Sequence, residues 1–207
     1  DTVKEKKARQ KLMRKGLKEG EKPKKVKSKW KIKELDFGRF GELNPNLDVS
    51  PNGEMIIYPK YGYGKNQSLG FDIWRVDTKT KKKVKLTNSK RANYPKFSPD
   101  GKSILFIAHE NSTSQLYTMD IDGRDIKQIT SNEGDVQIVT PAWSPDGRSV
   151  AFAMSESDGS MDIHTLELST GKTQQITNSP EIDASPIWHP KGDMISYTGY
   201  YLSLIHI

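Results

Sequence analysis

The chain has 207 residues, enough for one large β domain or two small ones. It contains no cysteine, which excludes disulfides and thiolate metal sites, and no apolar run of about 18 residues, which excludes a membrane-spanning helix. The formal charge of +7 is uneven: residues 1–33 hold 15 Lys/Arg against 4 Asp/Glu, leaving the other 174 residues at −4.

Residues 1–33 read as a basic arm, partly helical or disordered. Lys4 to Lys18 has helix-forming composition with a thin apolar set (Val3, Ala8, Leu12, Met13, Leu17). Gly16, Gly20 and Pro23 stop it, and Lys24 to Lys33 is a basic run. Such arms bind nucleic acid or anionic lipid, or act as solvated linkers. No aromatic residue lies among the charges before Trp30, which favours a linker to an upstream domain over a nucleic-acid partner. A membrane would be reached only through this arm or an upstream anchor. The first residue is Asp with no signal-peptide pattern after it, so any export signal is expected upstream.

From Trp30 to Leu43 the chain enters its fold, and Lys31 to Leu35 alternates weakly, as an outer strand would. The stretch Asn93 to Thr130 then reads as one four-stranded module. Ser98-Pro99-Asp100-Gly101 is a tight turn, with Pro presetting φ and Gly accepting a positive φ. Ile104 to Ala108 is apolar without alternation, as expected of a strand covered on both faces. Leu116, Tyr117 and Met119 form a third strand ending at the turn Asp120-Ile-Asp-Gly123, and Ile126 to Thr130 a fourth.

The module repeats. Its first turn recurs as Ser50-Pro51-Asn52-Gly53, Ser144-Pro145-Asp146-Gly147 and His189-Pro190-Lys191-Gly192, at spacings of 48, 46 and 45. Third strands recur as Asp72-Ile-Trp74, Gln115-Leu-Tyr117 and Asp162-Ile-His164, and fourth strands end at Thr87, Thr130 and Thr177. Antiparallel four-stranded units at this period predict an all-β fold, a β-propeller with about three and a half blades present. Boundaries fall at about 42–88, 89–131, 132–178 and 179–201 within a propeller domain of residues 34–201. The last six residues, Leu202 to Ile207, do not follow the repeat. LSLIHI is what the codons CTG TCT CTT ATA CAC ATC would give, a stretch that resembles a transposon end used in sequencing libraries, and 202–207 is read as a non-native tail.

The motif SPDGK…LYTMDIDG…QIT resembles the TolB-like repeat of SPDG-type, WD-like propellers, over roughly Asn44 to Tyr201. Blade one departs from it with Asn52 for Asp and no Pro three residues before Ser50. Blade four has His189 and Lys191 where Ser and Asp are usual. The resemblance implies a bacterial, commonly six-bladed scaffold that works through protein contacts, in the periplasm or at the cell envelope. Related blades accompany prolyl-oligopeptidase-like hydrolases and other peptidases. The alternative is therefore a propeller attached to a hydrolase whose catalytic segment lies elsewhere.

Spacings locate candidate binding loops. The third-strand acid and the closing Thr are ten apart in each full blade, whereas turn Ser to that acid is 27, 22 and 23 and closing Thr to the next turn is 11, 14 and 12. Length therefore varies between strands two and three and between blades, and those loops share one end of an up-and-down blade. Scaffold constancy with loop variation marks a binding face. Its candidates are Tyr61, Tyr63, Lys65, Arg91, His109, Glu110, Glu133, Asp135, Glu156, Asp158, Glu181 and Asp183. The acids line blades two to four, while blade one brings Lys60, Lys65, Lys90, Arg91 and two tyrosines suited to anchoring a partner. A protein or peptide with positive charge is expected to dock there.

No catalytic or metal-ligating residue is assigned, and no cofactor is expected. The four histidines form no HExxH motif. His164 occupies the place of Trp74 and Tyr117 and is expected to pack, and His189 stands in for a turn Ser. Asp120-Ile-Asp-Gly123 opens like a calcium loop but has Ser131 where the twelfth-position Glu is needed, so it reads as a hairpin turn. Tyr61-Gly-Tyr-Gly-Lys65 lacks the ending of a phosphate loop, and Ser50, Ser98 and Ser144 lie in turns rather than a nucleophile elbow. Asn66-Gln-Ser68 and Asn111-Ser-Thr113 are glycosylation sequons. Trp143 is expected buried between blades and Arg75 pointing outward.

Overall fold

The computed structural model describes residues 46–63, 69–110, 112–155 and 159–200. The basic arm, Lys65, Glu156, Asp158 and the 202–207 tail lie outside them. Among the described residues every element is a strand. The first sheet runs β1 (Asp48–Val49), β2 (Met55–Tyr63), β3 (Leu69–Asp77), β4 (Lys83–Lys85). The second runs β5 (Asn93–Phe97), β6 (Ser103–Glu110), β7 (Thr113–Asp120), β8 (Lys127–Gln128). The third comprises β9 (Ile138–Trp143), β10 (Ser149–Ser155), β11 (Met161–Glu167) and β12 (Lys172–Gln175). A hairpin, β13 (Ile182–Trp188) with β14 (Ile195–Tyr200), begins a fourth blade. It meets the third through a single parallel bridge, Met161 to Ile182. Within each blade the neighbours are antiparallel.

Each first turn is held by its own side chains. Ser98 Oγ donates to Asp100 Oδ1 (2.6 Å) and accepts the Ser103 N–H (2.9 Å), while Asp100 Oδ1 accepts the Lys102 N–H. Ser144 and Asp146 repeat this, and in blade one Asn52 Oδ1 takes the role of the Asp. In blade four His189 Nδ1 lies 2.9 Å from Asp193 Oδ1, so the departures from the motif leave the turn intact. Gly101 (φ 70°) needs its missing side chain twice, since a Cβ there would also lie 3.3 Å from Pro51 Cδ. The same lean of one blade's turn proline on the next blade's glycine recurs at Pro99–Gly147 and Pro145–Gly192.

The apolar run Ile104 to Ala108 is 0% exposed throughout, and the propeller geometry says why. Alternate side chains serve different neighbours. Ile104, Phe106 and Ala108 join Ile57, Ile73 and Leu86 of blade one, whereas Leu105 and Ile107 join Ile138, Val150 and Phe152 of blade three. Cross-strand rings complete the packing, Phe106 on Tyr117 at 5.4 Å and Phe152 on His164 at 5.9 Å. His164 thus fills the aromatic place expected of it.

A buried polar clamp recurs with the blades. Asp72 Oδ1 accepts from Thr87 Oγ1 (2.9 Å), and that hydroxyl in turn accepts the Ile73 N–H. Gln115 with Thr130, and Asp162 with Thr177, make the same pair of bonds at Leu116 and Ile163. The carboxylates or amide also gather backbone N–H groups of the following connection, at Ser89, Asn132 and Ser179. The outer edge of each blade, too short for a long ladder, is fixed by side chains instead.

Two placements differ from expectation. Trp143 is half-buried, packing on the core between blades two and three, with its Nε1–H donating to Lys96 O (3.2 Å). Arg75 does not point into solvent. Its side chain is 19% exposed and bridges to blade two, with Nη1 2.5 Å from Ile121 O and 2.8 Å from Asp122 Oδ1.

Candidate functional site

The end of the blades where strands two and three turn over also receives the connections between blades, as the ladder registers require. Asn93 pairs with Ile107, three residues short of the end of β6, so the connection 86–92 arrives beside that hairpin. Lys90 Nζ accordingly sits 3.2 Å from Glu110 Oε1 and 5.6 Å from the centre of the Tyr117 ring. The Tyr117 hydroxyl and Lys90 hold the Glu110 carboxyl below its usual range. Burial, with Glu110 nearby, pushes the Tyr117 phenol up to about 12. Basic and acidic sectors are thus coupled here rather than separate.

Tyr61 and Tyr63 belong to β2 rather than to a loop, because the β2–β3 ladder continues through Tyr61–Phe71 to Tyr63–Leu69. The Tyr61 and Phe71 rings meet at 5.0 Å, and Tyr63 is 73% exposed. On the far face Lys60 Nζ lies over Trp74 at 5.2 Å. Arg91 is exposed at φ 48°, two residues after Ser89 at φ 55°, conformations that L-residues adopt only when the surroundings impose them.

His109, next to last in β6, has Nδ1 3.1 Å from Ser114 Oγ. That hydroxyl donates to Gln137 Oε1 (3.2 Å), so it accepts from His109 Nδ1–H and leaves Nε2 with the lone pair. Burial, with Arg91 nearby, holds the imidazole below its usual range. This Ser–His pair is no nucleophile, since Ser114 is fully buried and its proton is committed.

Glu133 and Asp135 are exposed on the connection from blade two to blade three, which is tightly tied to β7. Thr113 Oγ1 donates to Gly134 O, Ser114 N–H to Val136 O (2.8 Å) and Gln115 Nε2 to Asn132 O (2.7 Å). Asn132 Nδ2 returns to Ser114 O, and Gln137 Nε2 reaches Ser112 O. Glu181 is half-buried, its carbonyl accepting the Met161 N–H. Asp183 is corrected outright: β13 takes it in, and it is buried rather than displayed. Among the described residues no group of three His, Cys, Asp or Glu is placed to hold a metal ion.

A second concavity escaped the sequence reading. First strands and turn prolines of successive blades line a cavity of 490 Å³ along the blade axis, with Trp143, Trp188, Tyr94, Thr140 and Ser185 in its wall. Tyr94, Thr140 and Ser185 all have positive φ, each precedes a proline, and the ladder slips a register at each. The recurrent X-Pro three residues before the turn was the available signal.

No family profile matches the chain. Over 82 residues, 40% of this chain, it is 42% identical to the Tol-Pal system protein TolB of Francisella tularensis subsp. holarctica (strain LVS), a match spanning 18% of that relative's length. The putative TolB from Agrobacterium tumefaciens superposes with a TM-score of 0.65 at 25% identity, covering 78% of this chain and 56% of that one. TolB from Acinetobacter baumannii gives 0.58 at 26% identity, covering 73% and 37%. The β-propeller domain of the Trilobed protease from Pyrococcus furiosus shares the fold, with a TM-score of 0.55 at 19% identity over 73% of this chain and 47% of that one. Repeat, turn chemistry, blade architecture and these likenesses agree: the chain has a β-propeller fold whose blades are similar to those of TolB.

Proposed function

We propose that this chain is a non-catalytic propeller scaffold of the bacterial periplasm or cell envelope. It binds a protein or peptide partner on the end that carries Tyr63, Arg91, Glu110, Glu133 and Asp135. The observation that carries the reading is the connection 131–137, where two exposed acids stand on backbone that β7 holds by side-chain and main-chain bonds. A display that is already ordered loses less entropy on binding than a floppy loop. Its charge steers a cationic partner, an effect that salt weakens. The hydrolase-attached alternative draws on the shared fold of the protease propeller and places chemistry outside the described residues.

The test is capture of a partner from an envelope fraction, then on-rates against Glu133→Gln/Asp135→Asn at rising salt. The scaffold reading expects slower association and a shallower salt dependence for the double variant. Unchanged rates and salt dependence would remove this rim as the docking site. Peptidase activity mapped to a covalently linked domain of the same polypeptide would favour the alternative.

A further inference from the structure

Beyond the protein-docking rim, we infer a small-molecule site: the axial cavity takes a free α-amino acid with a large apolar side chain. At 490 Å³ it is a cleft of the size that encloses such a ligand, and its wall divides by blade. The residue two before each first turn lines it in all four blades, as Asp48, Lys96, Ala142 and Ile187. Charge therefore stands on blades one and two, and apolar surface on blades three and four. Trp143 and Trp188 enlarge the apolar half. Their indole N–H groups are spent on Lys96 O (3.2 Å) and Ala142 O (3.2 Å), so the rings offer a ligand apolar surface only.

The charged half carries both signs. Asp48 Oδ2 accepts the Phe97 N–H (2.8 Å), which seats its carboxylate beside the backbone that carries Lys96. Both side chains are half-buried, and among the described residues neither has a counter-ion, so they do not pair with each other. A partly dehydrated charge gains from a ligand charge that replaces its lost water. Hydroxyls lie in the same wall. Thr140 Oγ1 accepts the Ser185 N–H (3.1 Å), which leaves its own proton to donate, and the Tyr94 hydroxyl has no partner among the described residues.

One ligand class answers the whole wall. A simple cation or anion would meet one charge and leave the apolar half empty. An internal residue of a peptide carries neither charge at its α-carbon, and a dipeptide sets the two a further residue apart. A free α-amino acid brings an ammonium for Asp48 and a carboxylate for Lys96 on a single carbon. Its side chain then extends toward Ala142, Trp143 and Trp188. Nothing in this site draws on the rim acids Glu133 and Asp135.

The probes are L-phenylalanine, 3-phenylpropionate, 2-phenylethylamine, glycine and N-acetyl-L-phenylalanine amide, titrated calorimetrically into the 207-residue chain. L-Phenylalanine should bind at least about threefold tighter than either half-charged analogue, as a part-exposed charged pair allows. It should also exceed glycine, which leaves the apolar half empty. Lys96→Met should abolish the preference over 2-phenylethylamine and keep that over 3-phenylpropionate. Asp48→Asn, which keeps an acceptor for the Phe97 N–H, should do the reverse. The comparison among probes on the wild-type chain stands whether or not the variants fold. Glu133→Gln/Asp135→Asn should leave every affinity as it is, so this site and the rim can fail separately. Equal binding of L-phenylalanine and either half-charged analogue, a preference surviving its variant, or no binding with any probe overturns the inference. Equal binding of the blocked amide would also overturn it, giving the cavity to a peptide segment instead.

Discussion

Arg75 shows where residue-level reading runs out. Alternation along β3 says which side of its own sheet a residue takes, and in a single sheet the side away from the core is solvent. Here Arg75 stands opposite Ile57 on the face that packs on blade two, and beyond the apolar cluster it reaches that blade's turn. Arg75→Ala is expected to cost about 1–2 kcal/mol in urea melts, more than an ordinary surface change, because it strips a charged bond from a carbonyl and a part-exposed carboxylate. A second residue-scale expectation concerns acid. Folding favours the neutral form of His109, since burial and Arg91 oppose its charge. Above about pH 6.5 the ring is neutral in both states and its contribution is fully present. Below that the unfolded chain takes up the proton first, and stability falls until the folded ring protonates too. Wild type should thus lose more melting temperature between pH 8 and pH 5 than His109→Gln, and parallel losses would assign the acid sensitivity to carboxylates instead.

Among the elements, the strands and turns were legible because their signals are local. Ser-Pro-Asp-Gly builds its turn from bonds within five residues, and Gly123 (φ 81°) closes the turn expected of Asp120-Ile-Asp-Gly. The clamp was visible only as a recurrence of Asp72, Gln115 and Asp162 before an apolar residue, since its Thr partner lies 15 residues on. Asp162→Ala should cost roughly 1–3 kcal/mol by thermal or urea unfolding, because it empties a buried position and leaves the part-buried Thr177 hydroxyl and Ser179 N–H without their acceptor. Asp162→Asn keeps an acceptor, as Gln115 does in blade two, and should cost less than half as much. The candidate site was less legible. Periodicity marks where a strand exists but not how far its ladder runs, so Tyr61 and Tyr63 turned out to be strand residues and Asp183 was drawn into β13. The axial cavity was missed because its wall comes from four blades, each supplying only a few residues.

For the molecule as a whole, repetition is also a liability. On the last hairpin Ile187 is 67% exposed, with Met194, Tyr197 and Tyr200 also open, and β14 has one unpaired edge among the described residues. Such an edge beside apolar side chains invites pairing. Light scattering behind size exclusion should find the 207-residue chain associating with concentration, and Ile187→Lys with Tyr200→Lys should reduce it. A compact monomer at all concentrations would show that the edge is protected. The bonds between blades have a direction as well. The Phe97 N–H reaches back 49 residues to Asp48, the Trp143 indole 47 to Lys96 and the Trp188 indole 46 to Ala142. In these three bonds the acceptor is made before its donor, whereas the Arg75 bonds to Ile121 and Asp122 run the other way. As the chain leaves the ribosome, the first strand of each new blade thus meets a seat already made. Protease resistance should accordingly appear in steps of one blade as arrested nascent chains are lengthened.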